Sequence, residues 1–281
     1  MHGRSHATLH RVQYPRVLAV VAIAGCGRLG FDSSRTGDGG GTNADVRPDG
    51  IPFVCTPVGH DEDGDGTDDA CDVCPQLVDP LQLDLDGDRV GDECDLEPNL
   101  PRQQIALFDA FTSLDSSVWT TANGATALGD ELVLDAIGAS RSIYTTYTLG
   151  EDWIVIGLTT GNAGAGDHLV SLVTSPDSGG TGFYCELFNN SETATMFTYS
   201  VDGSSFLHDG VAPWLQPLAN GGGTFEYLLT GTTARCRSAW LGDVRAVEGT
   251  RPPSIVPQRL TLYAENIEVR VQWIVQIRTL P

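Results

Sequence analysis

From about residue 104 to the C-terminus, apolar and polar residues alternate in short runs. IALFDAF, ELVLDA, RSIYTTYTL, DWIVIGLTT, DHLVSLVTS, TGFYCELF, TATMFTYS, TFEYLLTG, RLTLYAE and IEVRVQWIVQI are rich in β-branched and aromatic residues. A period of two marks strands with one face buried. The runs are separated by turn-forming clusters at Asn123-Gly124, Gly161-Asn162, Ser178-Gly179-Gly180 and Asn220-Gly221-Gly222-Gly223. No stretch shows the 3.6-residue period of an amphipathic helix. Ten or more strands in about 180 residues predict a mainly β domain, an antiparallel two-sheet sandwich over residues 98–281. That length is ample for one stable core.

Upstream the pattern fails. Residues 1–16 carry Arg4, Arg11 and Arg16 and no acid, then Val17 to Gly25 form a nine-residue apolar run, too short to span a bilayer. A basic start, a short apolar core and small residues predict a secretory signal over 1–25. Residues 26–54, with GDGGGTNADVRPDG at their centre, show neither periodicity and predict a flexible linker.

Charge changes the picture at residues 55–97. Fifteen of the chain's 37 acidic residues fall there against one base, Arg89, which places 14 of the 21 net negative charges in this segment. Carboxylates this crowded repel by about 1 kcal/mol per pair at 4 Å even in water. Oxygen ligands at alternate positions with Gly at the turns suit calcium. Asp61, Asp63, Asp65, Asp69 and Asp72 occupy positions 1, 3, 5, 9 and 12 of a loop numbered like an EF-hand. Gly66 holds position 6, and Thr67 offers its carbonyl at position 7. Asp84, Asp86, Asp88, Asp92 and Asp95 repeat the offsets, with Val90 at position 7 and Arg89 in place of the turn glycine. No amphipathic helices flank either loop, which argues against a helix–loop–helix EF-hand. Calcium is the expected cofactor, with a weaker second site because Arg89 brings charge and a Cβ to the turn.

The segment resembles the thrombospondin type 3 repeat. The resemblance rests on Cys71-Asp72-Val73-Cys74-Pro75, the connector Asp79-Pro80-Leu81-Gln82, and a second acid-rich loop ending Gly91-Asp92-Glu93-Cys94-Asp95. Val73 and Asp79 stand where the repeat usually has Asn, and Arg89 where it has Gly. The resemblance covers some 40 residues and implies a calcium-wrapped rod with almost no regular secondary structure. It also suggests pairing of neighbouring cysteines, Cys55 with Cys71 and Cys74 with Cys94; spacing alone leaves three connectivities. A zinc site or thioredoxin-like motif at Cys71-x-x-Cys74 would want more ligands than His60, or a βαβ unit, and neither is evident.

Ile23-Ala24-Gly25-Cys26 resembles the lipobox of bacterial lipoproteins. It implies cleavage before Cys26, acylation of its sulfur and anchorage to a membrane. Gly27, rather than Asp, implies export to the outer membrane, with the chain surface-exposed or periplasmic. With Cys26 lipidated, six cysteines remain in an oxidising compartment. Cys185 and Cys236, each among strand residues, are expected to staple two strands.

In the sandwich region, Leu107-Phe108-Asp109-Ala110-Phe111 with Leu114-Asp115 and Trp119 resembles the opening of concanavalin A-like (laminin G-like) jelly rolls. Arg259 to Tyr263 and Ile267 to Ile274 resemble their closing strands, the last beside the first. These folds include sugar-binding modules, glycoside hydrolases and passive surface domains, so fold alone does not give function. The Glu-x-Asp-x-x-Glu strand of one jelly-roll hydrolase family is absent, as is a Gly-x-Ser-x-Gly elbow. Glu265 and Glu268 near a turn read as solvent-facing, and His168 and His208 lack metal-ligand spacing. Trp214, in Ala212-Pro213-Trp214-Leu215-Gln216-Pro217, is a candidate for stacking on a sugar, although large aromatics are usually buried. Trp119, Trp153, Trp240 and Trp273 read as core. Sixteen arginines, no lysine and strong acidity exclude a basic nucleic-acid surface.

These readings converge on a non-enzymatic, calcium-binding surface lipoprotein that displays its sandwich to a glycan or surface-protein ligand. The alternatives are a carbohydrate-active enzyme with its site in the sandwich and a structural spacer.

Overall fold

The computed structural model describes residues 55–121, 124–147, 149–175, 182–189, 194–202, 205–213, 217–231, 233–250 and 259–281. The signal peptide, Cys26, the linker and Trp214 lie outside the described residues. Among those described there is no helix, only strands and turns.

In chain order the strands are β1 (Gln103–Asp109), β2 (Trp119–Thr121), β3 (Thr126–Ala127), β4 (Leu132–Asp135) and β5 (Ser140–Thr145). Next come β6 (Asp152–Ala163), β7 (His168–Ser175), β8 (Gly182–Asn189), β9 (Ala194–Asp202) and β10 (Ser205–Pro213). The last five are β11 (Gly222–Leu229), β12 (Thr233–Trp240), β13 (Asp243–Thr250), β14 (Arg259–Glu265) and β15 (Ile267–Thr279). They form two antiparallel sheets. An eight-stranded sheet runs β13-β12-β11-β6-β15-β4-β3, with β1 also on β15, and a seven-stranded sheet runs β10-β9-β8-β7-β14-β5-β2. This is the jelly-roll sandwich expected. The final strand lies beside the first, Phe108 opposite Val275. β14 and β15, adjacent in sequence, turn at Asn266 into opposite sheets.

Inward positions supply one core. Ile154, Ile156 and Leu158 of β6 and Val269, Val271 and Ile274 of β15 meet Val170, Leu172, Phe183, Leu260 and Leu262 of the other sheet. Each fully buried aliphatic side chain contributes about 1.5–3 kcal/mol. Cys185 on β8 and Cys236 on β12 are both fully buried and bonded, joining the two sheets.

A second apolar cluster lies on the outer face of the eight-stranded sheet. Val155, Val275 and Ile277 point away from the sandwich core and pack beneath Cys74, Val90 and Cys94, with Trp153 and Trp273 alongside. Trp119 and Trp240 belong to the sandwich core as expected, but Trp153 and Trp273 do not. The indole of Trp273 lies across β6 at Gly157, where a Cβ would stand 2.4 Å from the ring. The acid-rich segment is therefore not a free rod. It is pinned to the sandwich by a small hydrophobic contact of its own.

Candidate functional site

Residues 55–97 contain no strand or helix, and their backbone amides are satisfied largely by aspartates. In the first loop Asp61 accepts from Gly64 N (2.8 Å) and Gly66 N (3.1 Å). Asp63 accepts from Asp65 N, Asp65 from Thr67 N, Asp69 from Glu62 N and Asp72 from Cys74 N. The second loop repeats each bond at the same offset. Asp84 accepts from Gly87 N and Arg89 N, and Asp86 from Asp88 N. Asp88 accepts from Val90 N, Asp92 from Leu85 N and Asp95 from Glu97 N. The spacing read from sequence is thus a spacing in three dimensions. Gly66 and Arg89 share the left-handed backbone, at φ 99° and 79°. For arginine that conformation costs about 1–2 kcal/mol.

The disulfides are Cys55–Cys71 and Cys74–Cys94, the pairing that the repeat resemblance suggested. Gly91 makes room for the second. A Cβ there would lie 2.6 Å from Val73 and 2.8 Å from the Cys74 sulfur.

Carboxylates converge in three places. Asp63, Asp65, Asp72 and Asp79 form one group, Asp84, Asp86 and Asp88 a second, and His60, Glu62 and Asp69 a third. In the third, His60 Nδ1 lies 2.8 Å from Glu62 and 3.4 Å from Asp69. Burial pushes the Asp72 carboxyl up to about 6, Asp79 to about 7 and Asp95 to about 6, reinforced by the neighbouring carboxylates. Asp63 Oδ2, Asp72 Oδ2, Asp79 Oδ2, Asp86 Oδ2 and Asp95 Oδ2 are shielded from solvent without a hydrogen-bond partner. Buried carboxylate oxygens with no donor are costly, and an oxygen-seeking cation answers that cost. The residues fit calcium by donor chemistry, by turn geometry and by these oxygens.

The expected ligands divide unevenly. Asp63, Asp65 and Asp72 meet, whereas Asp61 lies outside their group and Asp69 joins His60. Asp84, Asp86 and Asp88 meet, and their charges act on Asp95, while Asp92 braces Leu85 N. Thr67 and Val90 hold their loop positions through amide bonds to Asp65 and Asp88. Asp79 and Gln82 were not expected in the site, and their connector position carried no ligand periodicity.

The loops are closed by equivalent groups from different places. Around the first, Asp79 N donates to Asp65 Oδ2 and Gln82 Oε1 accepts from Val73 N. Around the second, Gln103 N donates to Asp88 Oδ2 at 2.6 Å and Gln103 Oε1 accepts from Leu96 N at 3.0 Å. Gln103 is the first residue of β1, and its Nε2 also reaches Thr279 Oγ1 on β15. The sandwich itself supplies the lock of the second loop.

On the other side of the molecule, the outer face of the seven-stranded sheet carries side chains in register. Tyr144, Thr261, Val173 and Tyr184 form one row across β5, β14, β7 and β8. Ser142, Tyr263, Ser171 and Glu186 form the next, and Ser140, Glu265, Leu169 and Phe188 the one after. Ser171 Oγ donates to Glu186 at 3.0 Å, and Tyr263 Oη donates to Glu265 at 2.6 Å. Burial, then Glu265, pushes the Tyr263 hydroxyl up to about 12, with a further contribution from Glu186. Arg259 lies over the Tyr144 ring at 5.3 Å. Glu265 ends β14 and Glu268 lies on β15, in the other sheet, held by Arg270. His168 is buried, its Nδ1 against Gly166 O.

No protein-family model matches the chain, and no curated protein matches it. Solved structures with a similar arrangement include a Bacillus licheniformis β-glucanase, 12% identical over 60% of this chain and 96% of that one, at a TM-score of 0.47. Others are the CBM2 module of a Lactobacillus casei BL23 phage J-1 Dit protein (13% identity, 64% and 97% coverage, TM-score 0.48) and the κ-carrageenase of Pseudoalteromonas carrageenovora (9%, 63% and 96%, 0.48). These likenesses bear on the fold. Several of these structures are named as glucanases or as a carrageenase, and the expectation that the sandwich is non-enzymatic is not kept. That expectation rested on motifs within single strands. A sheet face assembles its chemistry across strands, and linear motifs do not report it.

Proposed function

We propose that the chain is an exported carbohydrate-active enzyme whose site is the outer face of the seven-stranded sheet and whose acid-rich segment is ordered by calcium. The observation that carries the enzymatic reading is the pairing of Glu186 and Glu265 around Tyr263 on a face that also presents Tyr144 and Tyr184. Tyrosine rings offer stacking surfaces for the C–H faces of a sugar, and the serine, threonine and carboxylate groups between them match its hydroxyls. Two strand spacings and two residues separate the glutamates, about 12 Å between Cα atoms by sheet geometry. Side chains reaching inward from that distance suit carboxylates that flank a glycosidic bond with a water between them, about 6.5–9.5 Å apart in inverting hydrolysis. Glu186, oriented by Ser171, and Glu265, oriented by Tyr263, are the candidate acid and base.

The test is reducing-end release from a panel of neutral and acidic polysaccharides. Glu186→Gln and Glu265→Gln should each lower release by roughly 100-fold or more, the scale of lost acid–base catalysis. No release across the panel, or release unchanged in both variants, overturns the reading.

The calcium reading is supported by the five orphaned carboxylate oxygens. When bound, calcium supplies positive charge that orders the two loops, so binding energy becomes folding energy there. Direct titration of the full chain tests it; absence of heat and of any folding change with millimolar calcium would reject it. Anchorage of the exported chain through Cys26 in the outer membrane follows from the lipobox-like sequence alone. Cys26→Ser should release the protein from membranes, and full retention of that variant would refute the anchor.

A further inference from the structure

The two loops share their hydrogen-bond plan, so any difference between them is informative. Asp79 lies outside the first loop, in the connector, yet its carboxylate joins Asp63, Asp65 and Asp72 with the ligand atoms within 4.8 Å of one another. Asp72 and Asp79 are each only 6% exposed. Their outward oxygens are engaged: Gln82 Nε2 donates to Asp79 Oδ1 at 2.7 Å and to Asp72 Oδ1 at 2.9 Å, and Asp72 Oδ1 also accepts from Cys74 N. Asp63 Oδ1 accepts from Asp65 N. What remains is Asp63 Oδ2, Asp72 Oδ2 and Asp79 Oδ2, all shielded and all without a donor. Gln82, which also donates to Asp65 Oδ2 at 3.3 Å, thus holds three of the four carboxylates and leaves Asp72 and Asp79 one oxygen each for the cluster.

The second loop has no counterpart to the Asp79 carboxylate. The backbone role of Asp79 is taken there by Gln103 N, and the Gln103 side chain is turned to Leu96 and Thr279. Its convergent group contains Asp84, Asp86 and Asp88 only.

We propose that Asp79 is a direct metal ligand delivered by the connector, a fourth carboxylate that makes the first site the stronger and more charge-selective of the two. The proposal rests on the calcium reading above. Four carboxylates around one divalent ion leave a net negative site, and affinity in oxygen-ligand sites rises with ligand charge. A ligand from outside the loop also links residues 63 to 79 through the ion, so that the metal fastens the connector as well as the turn.

The experiment uses the full chain, titrated with calcium by calorimetry and with terbium by luminescence, whose lifetime counts metal-bound waters. Asp79→Asn should weaken the first site by roughly tenfold or more, with the charge removed, raise its bound-water count and leave the second site unchanged. If the wild-type chain binds no metal, the calcium reading falls and this proposal with it. If wild type binds but Asp79→Asn keeps the same affinity and water count, only the role of Asp79 is overturned. Should Asp79→Asn fail to fold, single-site forms decide. Terbium in the first site of Asp86→Asn should then carry fewer waters than terbium in the second site of Asp63→Asn. Equal counts overturn the proposal.

Discussion

Gln103 belongs to two structures at once, and replacing it separates them. Its side chain is 2% exposed, accepting from Leu96 N at 3.0 Å and donating to Thr279 Oγ1 at 3.3 Å. Gln103→Ala removes both bonds and leaves the Leu96 amide without its partner. Each lost bond costs about 0.5–1.5 kcal/mol, and an unsatisfied donor adds to that, so about 2–3 kcal/mol is expected in all. The backbone bond from Gln103 N to Asp88 survives the substitution, which keeps the estimate from rising further. For a domain of this size 1 kcal/mol moves the midpoint by roughly 2–4 °C, and the sandwich should melt roughly 4–12 °C lower in calcium. Calorimetry of the full chain measures that shift.

The same substitution tests coupling. If calcium orders the second loop, and the second loop is locked to β1 and β15 through Gln103, then ion and sandwich stabilise one another reciprocally. Chelator should lower the melting of the wild-type sandwich, and should lower that of Gln103→Ala by less. Calcium affinity of the second site should fall in the variant, by about tenfold for each 1.4 kcal/mol of coupling lost. The reasoning is refuted if Gln103→Ala melts with the wild type and chelator shifts both equally. The two halves would then be neighbours without being partners, and the cluster of Val90, Val155 and Val275 would be contact without consequence.

Two further outcomes are expected. Non-reducing peptide mapping should recover Cys185 linked to Cys236, and replacing both with alanine should cost about 2–4 kcal/mol of sandwich stability; a variant that melts unchanged would show that the bond constrains nothing. In chelator, Asp72, Asp79 and Asp95 hold protons in the folded segment that an unfolded chain releases near pH 4. Raised carboxyl pKa values stabilise the folded form at low pH, and that contribution is lost as pH rises to about 7, so protease sensitivity of residues 55–97 should increase between pH 5 and 7.5. A flat profile in chelator would remove these carboxylates from the folded cluster.

The strands were legible because their signal is local. Alternation in RLTLYAE places Leu260, Leu262 and Ala264 inside and Thr261 and Tyr263 outside, and any residue can be assigned from its neighbours. The loop turns were legible for the same reason, since each of these aspartates answers an amide two to seven residues away. Where the partner is distant, sequence is silent. The run IEVRVQWIVQI reads as a strand with one buried face and Trp273 as core, and nothing in it tells that Val90 and the Cys74–Cys94 bridge cover Val275 and Ile277 on the second face. Glu265 reads as a solvent charge beside Glu268 and is exposed, but only the parting of β14 and β15 into different sheets shows that it shares a face with Glu186, nearly eighty positions earlier.

Asp79 and Gln103 fail to announce themselves for a subtler reason. Each acts through a backbone amide as well as a side chain, Asp79 N on Asp65 and Gln103 N on Asp88. A backbone amide has no residue identity, so nothing in the sequence distinguishes the one that closes a loop. Only the repetition of the whole hydrogen-bond plan exposes them, by showing the same amide position filled once from a connector and once from a sheet. That substitution explains the asymmetry of the two sites. The connector was free to carry a carboxylate inward, whereas a residue opening β1 must also satisfy Thr279 on the strand beside it, and a glutamine amide does both. The first loop gained charge from its closure and the second gained a mechanical link to the sandwich.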